Sequence, residues 1–533
     1  MKRFLPLSLM LTAVAAAENS LTLDLLEKES WWGGHVVDGA AMPYTAETTI
    51  ERDTMNNRGN QAQPLLVSSE GRWVWCEQPM KFAFKGGKLT ASSEFAEVQQ
   101  GDAGETLQDA FAHVSKTFFP ATGTYPDPLL FTAPQYNTWI ELIYEQTQKG
   151  ITEYANSIVE NGYPVGVLMI DDNWQEDYGT WEFSAKRFEQ PKEMMSKLHD
   201  QGFKVMMWIC PFVSADSQTF RHLAKEGMLL LDKQKTQDIL WANTRNKAAI
   251  VRWWNGASAL LDLSNPKSKK WFKEQLDHLQ NEYGVDGFKF DAGDTPFYKN
   301  EVVSFKKSLP TDHCRYFAEI GLDYPLNEYR ACFKLAGQPL AQRLRDKGHH
   351  WKDMQQLIPG MIAQGLMGYA FTCPDMIGGG EYTTFLNGAK IDEELVVRSA
   401  QVHALMPMMQ FSVAPWRILS KENAAICLEM AKLHSKFGEE ILEMAKASAK
   451  SGAPIVKPLA WSWPGQGYES IVDQFLLGDE ILVAPVTKQG ARKRSVVFPQ
   501  GTWKGEDGST VVGPKTMEIE VPLARLPYYR LQK

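Results

Sequence analysis

Short apolar runs that end on a carboxylate or near a proline, each followed by a helical period, recur through the middle of this chain. That recurrence limits the architectures open to it. Residues 165–170 end on Asp171 and Asp172, residues 204–209 end near Pro211, and Gly287-Phe-Lys-Phe ends on Asp291, with a second carboxylate at Asp294. Before the last of these, Leu261-Asp-Leu-Ser-Asn-Pro leads into a helix-like stretch through Leu279. Near-continuous apolar runs suit strands covered on both faces, and parallel strands need a crossover connection between them. The pattern predicts an α/β fold, a (β/α)8 TIM barrel, in which catalytic groups gather at the C-terminal ends of the strands.

The predicted barrel occupies residues 126–465. It opens on Leu129-Leu-Phe-Thr and an amphipathic helix over 138–160. Further strands are read at 328–333, 369–373 and 408–412, with Ile455-Val-Lys-Pro-Leu last. Ahead of it, residues 18–125 contain Gly71-Arg-Trp-Val-Trp-Cys-Glu, Lys81-Phe-Ala-Phe and Lys88-Leu-Thr-Ala-Ser, strand-like runs between turn residues. They predict an N-terminal β-sandwich domain, bounded by the turn signals of Gly123-Thr-Tyr-Pro-Asp-Pro. Residues 466–533 read as strand and turn, a C-terminal β-sandwich domain. Residues 1–17 combine Lys2 and Arg3, a short apolar centre and an Ala-x-Ala end, the pattern of a secretory signal peptide. The expectation is a bacterial protein that is exported, periplasmic or secreted.

A chain of 533 residues exceeds one ordinary core, which fits a large barrel with appended domains. A net charge of −8 without a basic cluster argues against nucleic acid as a partner. No apolar run is long enough for a membrane span. The 6 cysteines show neither CxxC pairs nor His-rich neighbours, so a zinc site is not expected and buried free thiols are at least as plausible as disulfides. No pattern calls for a metal or a cofactor.

Two further segments carry carboxylates. Asp346 stands in Arg345-Asp-Lys-Gly-His-His-Trp-Lys-Asp-Met, and Cys373-Pro-Asp-Met-Ile-Gly-Gly-Gly follows a strand-like Tyr369-Ala-Phe-Thr. Together with Phe288-Lys-Phe-Asp-Ala-Gly-Asp, these segments resemble glycoside hydrolase family 31. So do Phe475-Leu-Leu-Gly-Asp-Glu-Ile-Leu-Val-Ala-Pro-Val and Val497-Phe-Pro-Gln-Gly-Thr-Trp near the C-terminus. The resemblance runs in motif order from about Leu130 to the end. Within the family it is similar to the myogenesis-regulating glycosidase group, which is associated with α-galactosidase activity. Met409-Gln-Phe-Ser-Val-Ala-Pro-Trp-Arg reads the same way.

The resemblance implies a carbohydrate substrate and a two-carboxylate mechanism. One charged carboxylate attacks the anomeric carbon while one protonated carboxyl releases the leaving oxygen. Asp291 matches the nucleophile. Asp346 matches the acid/base by its spacing from Gly368-Tyr-Ala-Phe, although the usual His-Trp-x-Gly-Asp is here Gln342-Arg-Leu-Arg-Asp. Asp353 is the competing acid, with a helix-surface role as its alternative. Lys289 projects to the same side of its strand as Asp291, where a cation favours an ionised carboxylate. Arg330, sixteen residues before Asp346, matches a substrate-binding arginine. Asp375 matches the aspartate of an Asp-Ile-Gly-Gly motif. Either Asp171 or Asp172 binds sugar hydroxyls, Asp171 being better aligned, while the other caps the loop. Trp208 and Trp254 are cleft aromatics or core residues, and His349 and His350 read as exposed loop histidines. Gln410 and Ser412 replace an Arg and a His of family α-glucosidases, which suggests a remodelled hydroxyl-binding wall. The expected activity is a retaining, exo-acting α-galactosidase. α-N-acetylgalactosaminidase and α-glucosidase are alternatives, and a catalytically idle carbohydrate-binding relative is an alternative of another class.

Overall fold

Eight parallel strands make the central ring. They are β1 (Gln135–Asn137), β2 (Val167–Ile170), β3 (Lys204–Ile209), β4 (Gly287–Phe290), β5 (Asn327–Tyr329), β6 (Gln342–Arg343), β7 (Thr372–Cys373) and β8 (Gln410–Phe411). They pair side by side in the order β7-β6-β5-β4-β3-β2-β1-β8. Across the remaining seam, between β7 and β8, the Ile377 amide donates to the Gln410 carbonyl at 2.9 Å. The computed structural model describes residues 19–233, 247–298, 302–386 and 390–532; the expected signal peptide lies outside the described residues. No helix among the described residues is long and apolar enough to cross a membrane.

Strand alternation fixes which residues face the barrel interior. On β4, Phe288 and Phe290 point outward and pack edge-on against Tyr324 and Phe317, so Lys289 between them points inward. Register then aligns Lys289 with Trp208 on β3 and Glu328 on β5, which places three large polar or aromatic groups at one level. The helix feeding β4, Pro266–Tyr283, starts on an Asn265 side-chain cap with proline at its first position. It stops at Gly284, whose φ of 74° is the left-handed conformation that ends helices. Asp286 ties the following turn to β3 by accepting from the Val205 amide at 2.7 Å.

The strands at β2, β3 and β4 form where the apolar runs stand. Elsewhere the structure corrects the sequence reading. Leu129–Thr132 is a helical turn behind Pro128, and the first strand is Gln135–Asn137. The long helix expected over 138–160 is two pieces, Trp139–Leu142 and Gln148–Glu160, parted at Ile143 with φ 50°. The strand at 328–333 divides: Asn327–Tyr329 joins the barrel, while Cys332–Phe333 pairs with Gln61 and Ala62 of the N-terminal domain. Val456–Lys457 pairs with Phe475–Leu477 in the C-terminal sheet rather than in the barrel. Strand β6 has no counterpart in the sequence reading.

In the N-terminal domain, a four-stranded sheet faces a second sheet built on Trp31–His35, Gln61–Ser68, Arg72–Cys76 and Val98–Asp102. Trp31, Tyr44, Phe82 and Phe84 fill the space between them, with Tyr44 and Phe84 centroids 4.9 Å apart. The C-terminal domain is a six-stranded antiparallel sheet. Arg398, fully buried on the barrel helix Glu393–Ala404, joins it to the barrel by donating to the Val521 carbonyl at 2.9 Å. All six cysteines are buried and unpaired.

Candidate active site

At the C-terminal ends of the strands lies a cavity of about 400 Å³, whose walls include Asp171, Asp172, Trp208, Trp254, Lys289, Asp291, Arg330 and Asp346. Eight residues singled out from sequence therefore meet in one place. Asp291 stands directly after β4. Its Oδ1 accepts from Arg330 Nε at 2.7 Å and from the Ala292 amide at 2.8 Å, and its Oδ2 accepts from Trp208 Nε1 at 3.0 Å. Ala292 adopts φ 58°, a left-handed turn that brings its own amide onto the carboxylate. Burial alone would raise the Asp291 carboxyl, but Arg330, Lys289 and Arg343 outweigh it and hold the group well below the usual carboxylate range. Asp291 is thus an ionised carboxylate with fixed orientation.

Lys289 Nζ lies 2.5 Å from Asp171 Oδ2, and both side chains are buried. Burial would lower the lysine, yet Asp171 and the other carboxylates around it keep it charged. Arg330 is more committed than its expected role suggests. It donates to Asp291, to the Gly59 carbonyl at 2.7 Å, and to both oxygens of Asp294 at 2.9 and 2.8 Å. A guanidinium has five N–H groups, so one remains beyond these four bonds. Asp294, which anchors this arrangement, was visible in sequence only as the end of the motif.

Asp172 is held by loop contacts. Its Oδ1 accepts from the Asn173 amide at 2.7 Å and Tyr178 Oη at 3.0 Å, and its Oδ2 accepts from Asn255 Nδ2. Burial, then the neighbouring Asp171 charge, pushes its carboxyl up to about 7. Asn255 and the half-exposed Trp254 sit in the turn between strands Ile250–Trp253 and Gly256–Leu260. The Arg330 guanidinium lies 5.5 Å from the Trp254 ring centre. Trp208, by contrast, is buried and acts through its indole N–H on Asp291.

Asp346 is one-third exposed (34%), and its Oδ1 accepts from Arg343 Nη1 at 2.7 Å. Asp353 does not line the cavity. Its Oδ2 accepts from the Gly348 amide at 2.7 Å, which ties it to the loop that carries Asp346. Asp375, expected at the substrate, is fully buried behind the loop and outside the cavity wall. His349 is buried too, bridging Gly378 and Asp392, while His350 is exposed as expected. Gln410 and Ser412 are also beneath the cavity rather than in its wall. Gln410 donates to Glu328 at 2.7 Å, and Ser412 accepts from the Ile140 amide at 2.7 Å.

The cavity wall also contains Trp139, Tyr144, Tyr382, Arg345 and Glu381, none of them foreseen. Trp139, Tyr144 and Tyr382 form an edge-to-face trio with centroids 5.3–5.7 Å apart. The broken helix after β1 delivers the first two. Their signal in sequence is position alone: aromatics just past the end of a barrel strand.

Residues 133–339 match the glycosyl hydrolases family 31 TIM-barrel domain, and residues 452–531 match the glycosyl hydrolase family 31 C-terminal domain. The chain is 30% identical over 416 residues to the myogenesis-regulating glycosidase of Mus musculus, covering 76% of this chain and 57% of that protein. It is 24% identical over 520 residues to an alpha-xylosidase of Lactiplantibacillus pentosus, covering 87% of this chain and 62% of that one. It spans about half the length of the first curated relatives it matches, between 46% and 57%. A dextranase of Flavobacterium johnsoniae, solved with glucose, superposes with a TM-score of 0.82 at 18% identity, over 96% of this chain and 66% of that one.

Proposed function

The chain belongs to glycoside hydrolase family 31, and we propose that it is a retaining, exo-acting α-glycosidase that releases terminal α-linked galactose. The observation that carries this reading is the pairing of Asp291 with Asp346 in one cavity, the first kept ionised by three cations. Asp291 attacks the anomeric carbon while Asp346 gives its proton to the leaving oxygen, forming a glycosyl ester on Asp291. Asp346 then takes a proton from water, which attacks the same carbon and releases the sugar with its configuration retained. Retaining enzymes place the two carboxyl groups about 5–5.5 Å apart. Arg330 and Trp208 keep the attacking oxygen oriented, so little reorganisation is needed on the way to the transition state.

Support for galactose comes from the Asp-Ala-Gly-Asp and Pro-Asp-Met-Ile-Gly-Gly motifs, which resemble the α-galactosidase-associated group, while the mouse relative's name supports a glycosidase. With Gln410 and Ser412 below the wall, selection among sugars falls to the groups that do reach the cavity: Asp171, Asp172, the free Arg330 N–H and the Trp139–Tyr144–Tyr382 corner. The basic, apolar, Ala-rich start of the chain supports export. A panel of p-nitrophenyl α-glycosides of galactose, N-acetylgalactosamine, glucose and xylose tests the substrate. The galactoside should lead by orders of magnitude in kcat/KM, since hydroxyl mismatches in a hydrogen-bonding site cost up to about 10⁴-fold. Equal rates on galactoside and glucoside would refute the assignment.

A further inference from the structure

We propose that Asp375 is the positioning residue of the acid loop. Through Arg343 it fixes Asp346 in place and sets the pH range over which Asp346 acts as an acid. This rests on the reading of Asp346 as acid/base given above. The geometry is a clamp on both sides of Asp346. Asp375 Oδ1 accepts from Arg343 Nη1 at 2.6 Å, and Asp375 Oδ2 accepts from the Lys347 amide at 2.8 Å. The same Nη1 donates to Asp346 Oδ1 at 2.7 Å, so one nitrogen bridges the two carboxylates.

Asp375 is fully buried and does not line the cavity, which removes it from direct contact with a sugar. It also adopts φ 88°, a left-handed conformation costly for a residue with a side chain. Space around the pair is tight. A Cβ at Gly380 would stand 2.9 Å from Asp375 Oδ1 and 3.3 Å from the Asp346 carboxyl carbon. A strained, buried carboxylate that grips residues 343 and 347 leaves Asp346 little freedom between them.

The charges facing this pair give the clamp its second effect. Arg343 reaches both carboxylates and also lies 3.2 Å from Glu328 on β5, while Arg330, Arg345, Lys347, Lys289, Asp353, Asp291 and the Cys373 thiol stand around them. Burial, then the Asp346 charge, pushes the Asp375 carboxyl up to about 7, against the opposing pull of Arg343 and Lys347. Arg343 places a positive charge against Asp346, and a charged Asp375 places a negative one behind it. Removing one or the other therefore changes the field at Asp346 with opposite sign, a signature that a merely structural role does not produce.

The test is the pH profile of kcat/KM for Asp375→Asn, Arg343→Gln, Arg343→Lys and Asp346→Asn, on aryl α-glycosides of the preferred sugar with graded leaving groups. Asp346→Asn should lose rate mainly on poor leaving groups; a uniform loss would overturn the acid assignment and this inference with it. Given the expected result, Asp375→Asn should move the basic limb down and Arg343→Gln should move it up, each by about one pH unit. Arg343→Lys should return the limb toward wild type. If Asp375→Asn does not fold, Asp375→Glu, which keeps the charge on a longer arm, should hold the limb near wild type while lowering kcat; a shifted limb with unchanged kcat would overturn the role of Asp375. Limbs that stay at the wild-type position, or that move in the same direction in both variants, would overturn the role of Asp375.

Discussion

Replacing Lys289 with methionine removes a charge while keeping an unbranched apolar stem, at a side chain that is almost wholly buried. Lys289 and Asp171 are both buried, with Nζ 2.5 Å from Asp171 Oδ2. The substitution strands Asp171 as a buried carboxylate without its cation, and breaking such a pair costs about 3–5 kcal/mol. The attraction of two unit charges some 4 Å apart near a protein surface, about 4 kcal/mol, is of the same size. The second consequence concerns Asp291, which loses one of the three cations that hold its carboxyl low. Its pKa should rise toward the ordinary range, and because the nucleophile must be ionised, the acid limb of kcat/KM should move to higher pH. Urea unfolding and pH-rate profiles read the two effects separately. Adding Asp171→Asn to Lys289→Met should recover more than half of the lost stability while the acid limb stays shifted. A Lys289→Met variant that loses less than about 1 kcal/mol and keeps its acid limb would refute the reasoning, since a buried pair cannot be broken that cheaply.

Asp172, with its carboxyl pushed up to about 7, is neutral below that pH and charged above it. If the charged form accepts from sugar hydroxyls, KM should fall as pH rises through 7, and Asp172→Asn should flatten that dependence; steady-state kinetics at several pH values checks it. Gly379 has φ 108°, and a Cβ there would meet the Lys347 carbonyl at 2.6 Å. Gly379→Ala should therefore displace the acid loop, costing at least about tenfold on poor leaving groups while near-ultraviolet circular dichroism stays close to wild type.

The parts of this site that sequence reveals are those built on long apolar strands. Val167–Ile170 and Gly287–Phe290 are unmistakable runs, so Asp171, Asp172, Lys289 and Asp291 could be placed at their ends. Strand β6 could not be found this way, because it is two polar residues: Gln342 accepts from Gln61 of the N-terminal domain, and Arg343 donates to Asp375 within the barrel. That Gln-Arg pair looked like a departure from a motif; in the fold it supplies the guanidinium that bridges Asp346 and Asp375. Gln410 and Ser412 show the converse error. Their residue types suggested a wall facing the sugar, but burial is a tertiary property, and both spend their hydrogen bonds on neighbours beneath the cavity. Trp139 and Tyr144 were hidden by placing the first strand at Leu129–Thr132, six residues too early. Pro128 and Asp127 start a helical turn there.

The most direct test of the account is covalent trapping. Incubation with a slow-turnover 5-fluoro glycosyl fluoride of the preferred sugar, followed by intact-protein mass spectrometry and peptide mapping, reports the nucleophile itself. The account predicts a mass increase of one glycosyl unit, located on Asp291 and absent in Asp291→Ala. No adduct under conditions that inactivate the enzyme, or an adduct on Asp172 or another carboxylate, would contradict it.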